Sequence, residues 1–139
     1  MSAKVFLDTN ILIYATESEG PTPEKSLIAL ALTRRTDVCL STQVLGEFYR
    51  ATTKPRRQAP LTHDHAVAWV QIWKGHEVHP ITVTHIDPAL ELKERYQLRY
   101  FDALILSAAH FARCETVYSE DLNAGHEYAG VRVLNPFLS

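Results

Sequence analysis

The feature that most constrains this chain is an alternation. Short apolar runs, each about a strand long, are separated by longer stretches whose apolar residues recur at helical spacing. "KVFL" at 4–7, "VCL" at 38–40, "ITV" at 81–83, "TVYS" at 116–119 and "GVRVLNP" at 130–136 read as strands. Between them lie a short helix over about Asn10–Glu17 and a longer one opened by Thr22 as N-cap with Pro23 at its first position. That second helix is expected to end near Arg34 and Arg35, cations suited to a helix C-terminus. A helix capped by Ser41 or Thr42 carries Val44, Leu45, Phe48 and Ala51 on one face. Thr62 opens another, with Ala66, Val70 and Trp73 in a stripe and Trp69 beside it. Thr84 or Asp87 caps one running to about Leu98. "DALILSAAHFA" at 102–112 is apolar nearly all round, so it reads as a buried helix. Strands alternating with helices imply an α/β fold of three layers, a parallel sheet of four or five strands with helices on both faces.

The 139 residues suit one domain, 1–139, and with 46% hydrophobic and 22% charged residues the chain should fold around a real core. No apolar run approaches the ~20 residues that span a bilayer, and the N-terminus does not read as a secretory signal. Cys39 and Cys114 fall in or beside apolar runs and read as reduced core residues. A cytoplasmic protein is the expectation. The net charge of −2 argues against nucleic-acid binding by overall charge, so any such site must be a local patch or use bound cations.

The carboxylates narrow the function. In a parallel sheet, sites form at the carboxyl ends of the strands. Asp8 follows the first strand and Asp121 follows "TVYS", so both belong on that edge. Connecting helices begin there too, which brings Asp102 in "YFDALIL" and Glu47 in "STQVLGEFYR" to the same rim. Each has an ordinary reading as well. Asp102 alone fits an N-cap, Glu47 a solvated helix position, and Asp121 a turn with Asn123 and Gly125 behind it. Asp8 resists such a reading, because a charge ending an apolar strand needs a partner. As a set, the acids would repel, and the sequence offers no matching set of Lys or Arg. A hard divalent cation resolves the repulsion, and an all-oxygen donor set points to Mg²⁺ or Mn²⁺ rather than zinc.

In order and spacing, "FLDTNILIYA", "QVLGEFY", "YFDALILSAA" and "YSEDLNAG" resemble the PIN-domain family, especially VapC-type toxins of bacterial toxin–antitoxin pairs, over residues 4 to about 135. The resemblance implies a compact α/β/α fold and a Mg²⁺- or Mn²⁺-dependent ribonuclease whose metal-holding, catalytic acids are Asp8, Glu47, Asp102 and Asp121. It implies that Thr9 and Asn10 support the site, and that Glu120 either does so or faces solvent. It also implies RNA as substrate, a small antitoxin as partner and a homodimer.

Other residues carry weaker signals than these acids. Arg56 and Arg57 in "KPRR", with Lys54, read either as a solvated loop or as phosphate contacts. Arg99 and Tyr100 precede Asp102 and suit a phosphate and a base. Trp69 and Trp73 read as core rather than as a partner surface, and His63 and His65 in "HDH" do not share a helix face as metal ligands would. Two further functions compete. One is a non-catalytic PIN-like module that docks RNA or a basic peptide on its acidic rim. The other is a phosphatase forming an aspartyl-phosphate at Asp8, disfavoured because Asn10 stands where such enzymes usually carry a second Asp.

Overall fold

The computed structural model describes residues 4–55, 57–123 and 125–138. Chain order is β1 (Lys4–Leu7), α1 (Thr9–Ala15), α2 (Pro23–Thr33), β2 (Val38–Ser41), α3 (Thr42–Thr53), α4 (His63–Trp73), β3 (Glu77–His79), a 3₁₀ turn (Val83–His85), α5 (Ile86–Tyr96), α6 (Tyr100–Phe111), β4 (Cys114–Tyr118), β5 (Glu127–Tyr128) and β6 (Val131–Leu134). The strands form one sheet in the order β3-β2-β1-β4-β6-β5. All neighbours pair parallel except β5 with β6.

The expected α/β fold is therefore present, with two differences in the sheet. The third strand lies at Glu77–His79, not at Ile81–Val83. Register against β2 decides this: Cys39, Leu40 and Ser41 pair with Glu77, Val78 and His79. Pro80 then lacks the N–H to continue the ladder, and the Ile81 N–H turns to the Thr42 hydroxyl at 3.0 Å. Val83 begins the 3₁₀ turn and is 83% exposed, as no core strand residue would be. The sheet also gains an antiparallel edge strand, β5. It joins β6 through Ala129 and Gly130, both at positive φ (51° and 90°), the backbone of a two-residue hairpin.

Three of the expected helix starts are present, but α5 begins at Ile86 with His85 in the N-cap position, not Thr84 or Asp87, because the 3₁₀ turn Val83–His85 runs directly into it, and Thr22 makes no side-chain cap bond. Pro23 starts α2, Ser41 Oγ accepts from Val44 N–H at the head of α3, and Thr62 Oγ1 accepts from His65 N–H at the head of α4. α6 is the buried helix expected, with every residue from Ala103 to Ala109 out of solvent. Phe6, Leu7, Ile11, Leu12, Phe48 and Trp73 are among the largest fully buried side chains. Trp69 stacks on Trp73 at 5.1 Å against this core, so the tryptophans are packing residues. His63 and His65 are exposed at the start of α4, and the His63 ring pairs with Tyr49. Cys39 and Cys114 are buried free thiols. They lie on the two strands that flank β1. Among the described residues, no helix is long and apolar enough to cross a membrane.

Candidate active site

The strand order reverses at β1, because the chain builds outward to β2 and β3 on one side and later to β4 and β6 on the other. A crevice opens at such a switch point, outside the carboxyl ends of the strands. Asp8 and Ser119 stand directly there, one residue past β1 and β4. The Asp8 N–H still bonds the Tyr118 carbonyl at 3.0 Å, so the ladder itself holds Asp8 in place.

Asp8 caps α1 and is only 6% exposed. Its Oδ1 accepts from Thr9 N–H at 2.7 Å, and its Oδ2 accepts from the Ser119 hydroxyl at 2.7 Å and from Asn10 Nδ2 at 3.4 Å. These donors favour the charged form, but burial opposes it more strongly, with Glu47 and Asp121 adding repulsion. The Asp8 carboxyl is pushed up to about 6.

The neighbours extend the network to two more acids. Thr9 Oγ1 donates to Glu47 Oε1 at 2.7 Å, and Gln43, one helical turn before Glu47, donates to its Oε2 at 3.3 Å. Asn10 Nδ2 donates to Asp121 Oδ2 at 3.2 Å, while its Oδ1 accepts the Glu120 N–H at 3.1 Å. Ser119 Oγ accepts from the N–H groups of Asp121 and Leu122, which shapes the turn that presents Asp121. Thr9 and Asn10, expected to support the site, are each hydrogen-bonded to Asp8 and to one further acid, Glu47 for Thr9 and Asp121 for Asn10.

Asp102 joins from α6. It is the third residue of that helix, and Arg99 takes the N-cap position, so Asp102 is not the cap. Its Oδ2 accepts from Arg99 Nε at 2.9 Å. Asp102, through that bond and its charge, raises the already high pKa of Arg99, with smaller pulls from Asp121 and Asp8. A second tie runs from Gln43 Nε2 to the Phe101 carbonyl at 3.1 Å, so one side chain links the Glu47 helix to the Asp102 helix. Gln43 Oε1 is shielded from solvent with no hydrogen-bond partner among the described residues.

The remaining expectations separate. Glu120 turns away from the rim, bonded by the Tyr14 hydroxyl at 2.6 Å and by Lys25. Arg57 lies past the far end of α3, paired with Glu17 at 2.6 Å and only 18% exposed, so the structure does not bring it to the acids. Arg56 lies outside the described residues. Ser119 and Gln43 were not singled out from sequence. Ser119 does carry a signal, as the polar residue that ends β4 two positions before Asp121. Gln43 carries another, at four residues before Glu47 on the same helix.

The donor set fits a hard cation. Four carboxylates face one rim, one is buried and resists ionisation, and Arg99 is the cation bonded among them. Cysteine and histidine are absent from this network. Among the described residues, the trio of potential ligands whose donor atoms fall within 4.8 Å of one another is elsewhere, at Cys39, Glu77 and His79. The acids are spaced more widely than that. A cavity of about 140 Å³ lined by Pro88, Leu92, Leu106 and Tyr128 touches none of them.

Solved structures of the same architecture support the assignment of fold. One is the Mycobacterium tuberculosis toxin VapC20, described as cleaving the sarcin–ricin loop, with TM-score 0.67 and 20% identity over 85% of this chain and 90% of that one. A toxin–antitoxin complex from Klebsiella pneumoniae has TM-score 0.67 and 20% identity over 96% and 98%. VapBC2 from Rickettsia felis, bound to a DNA fragment from its promoter, has TM-score 0.65 and 17% identity over 93% and 96%. No curated protein sequence matches the chain. The sequence pattern of the PIN domain matches residues 5–126, and the chain belongs to the PIN-domain family.

Proposed function

We propose that this protein is a Mg²⁺- or Mn²⁺-dependent endoribonuclease, the toxin of a VapBC-type toxin–antitoxin pair, acting in the cytoplasm as a single PIN domain. The observation that carries the reading is the network joining Asp8, Glu47 and Asp121 at the sheet's switch point, with Asp102 tied in through Arg99 and Gln43. Carboxylates concentrated like this, with Asp8 buried, raise the energy of the metal-free fold, and a divalent cation lowers it.

Asp8, Glu47, Asp102 and Asp121 would hold the cation. When bound, such a cation polarises a phosphodiester and lowers the pKa of a water that attacks it. The chain's own residues supply position. Thr9 N–H and Ser119 Oγ fix both oxygens of Asp8, and Thr9 Oγ1 and Gln43 fix both oxygens of Glu47. Arg99, 80% exposed and paired with Asp102, would take a backbone phosphate. Phe101, 61% exposed at the head of α6, offers a ring to a base. Arg57 would have to leave Glu17 to contact RNA. The Klebsiella and Rickettsia complexes support a cognate antitoxin as partner for this chain, and the family resemblance supports a homodimer.

The test is cleavage of total bacterial RNA by the purified protein freed of any antitoxin, in Mg²⁺, Mn²⁺ or EDTA, with Asp102→Asn as control. Discrete fragments that require the cation and vanish in the variant are expected. Fragments that persist in Asp102→Asn or in EDTA would overturn the reading. Intact RNA throughout, with RNA retained on the protein, would favour the docking module.

A further inference from the structure

The opposite edge of the sheet carries a second cluster of chemically active side chains. Glu77 opens β3, and His79 lies two residues on, so both project from the same face of that strand. Cys39 on β2 is the direct cross-strand partner of Glu77 and shares the face. One oxygen, Glu77 Oε2, receives three donors: the Cys39 thiol at 3.2 Å, His79 Nε2 at 2.6 Å and Lys4 Nζ at 2.9 Å. Three side chains thus converge on a single oxygen of a half-exposed carboxylate. The sulfur, imidazole nitrogen and carboxylate oxygen all lie within 4.8 Å of one another.

We propose that Cys39, Glu77 and His79 form a zinc site at the β2–β3 edge, separate from the acidic rim. A thiolate, an imidazole and a carboxylate form a donor set that suits zinc and not Mg²⁺. Tetrahedral zinc, with Zn–S of about 2.3 Å and Zn–N or Zn–O of about 2.0 Å, places its ligand atoms roughly 3.3–3.6 Å apart. The thiol–carboxylate spacing is already close to that, and the His79 ring needs only to withdraw by part of an ångström. Zinc replaces the Cys39 thiol proton, which goes to solvent, so binding releases a proton. Lys4 does not block the site. Its pair with Glu77 is 43% and 46% exposed, and such pairs hold weakly against a divalent ion. Water completes the coordination on the open side. The consequence is mechanical: a three-residue edge strand becomes pinned to β2 through side chains as well as through its ladder.

The experiment titrates the full chain, stripped by chelator and kept reduced, with Co²⁺ and then with competing Zn²⁺. A thiolate-to-cobalt charge-transfer band in the near ultraviolet is expected, saturating at one ion per chain and erased by zinc. Cys39→Ser should abolish the band. Because Cys39 is buried, Glu77→Gln and His79→Gln at the surface carry the test independently, each weakening binding at least roughly tenfold. Asp102→Asn should leave the titration unchanged. Absence of the band, its persistence in both surface variants, or its loss in Asp102→Asn would each overturn the proposal.

Discussion

Two carboxylates at opposite ends of one sheet face opposite problems. Asp8, at the carboxyl edge, is buried among other acids and is pushed up to about 6, chiefly by burial. Glu77, at the amino end of β3, is half exposed and is held down to about 2, chiefly by the Lys4 ammonium, with His79 and Cys39 adding to it. Both are well hydrogen-bonded, so bond count does not separate them. The difference lies in which charges stand nearby and how much water is excluded. In the metal-free chain the electrostatic cost falls at the rim, where burial and repulsion at Asp8 support the proposed cation site.

Cleavage of RNA should break the symmetry most strongly. Asp8→Asn removes a proposed cation ligand at the rim and should reduce metal-dependent cleavage to background, at least roughly a thousandfold, or about 4 kcal/mol of barrier. Glu77→Gln, at the other edge, should leave the rate within about twofold. Initial rates at saturating Mg²⁺ decide it. Similar losses in both variants would mean that the rim has no special role.

Stability should diverge next. A buried carboxyl whose pKa is raised by folding contributes stability below its unfolded value that is lost as pH rises through its folded value. For Asp8 the window runs from about pH 4 to about pH 6, and the metal-free protein should lose up to about 3 kcal/mol across it. Denaturant unfolding in EDTA at several pH values should show that decline, and Asp8→Asn should flatten it. Millimolar Mg²⁺ should restore stability at neutral pH in the native chain and not in the variant.

Smaller effects should come from the residues that position the acids. Gln43→Leu releases Glu47 Oε2 and the Phe101 carbonyl together, and should slow cleavage roughly 10- to 100-fold through weaker cation binding. A Mg²⁺ titration of the rate separates this from a folding defect, because excess cation should recover much of the lost activity. A loss that no Mg²⁺ concentration reverses would assign Gln43 a different role.

How much of this was legible depends on the range of the interaction. Asp8, Glu47, Asp102 and Asp121 could be placed on one rim because strand ends and helix starts follow from local pattern, and topology then brings them to one edge. Thr9 and Asn10 were legible as neighbours of Asp8. Ser119 and Gln43 depend on side-chain directions that the alternation does not determine. The third strand was misplaced for a related reason. "ITV" has the better strand composition, yet Pro80 and pairing with Cys39–Ser41 select "EVH", a tertiary decision overriding local preference. Tyr128 pairs with Val131 across a turn formed by Ala129 and Gly130. A two-residue strand there is too short to show a period.

The smallest effect lies at the Glu77 end and sharpens the contrast by its sign. A carboxyl whose pKa is depressed by folding contributes stability above its unfolded value, lost as pH falls through its folded value. Glu77 should therefore weaken the fold only in strong acid, down to about pH 2, the reverse of Asp8. The contribution is slight because the pair with Lys4 is open to water and screened by salt. In thermal melts of metal-free protein between pH 2 and 5, Glu77→Gln should differ from the native chain only marginally. That small difference should shrink further in high salt. A large, salt-insensitive loss would show that Glu77 is held by more than exposed charge, and the two edges of the sheet would then be less different than their carboxylates suggest.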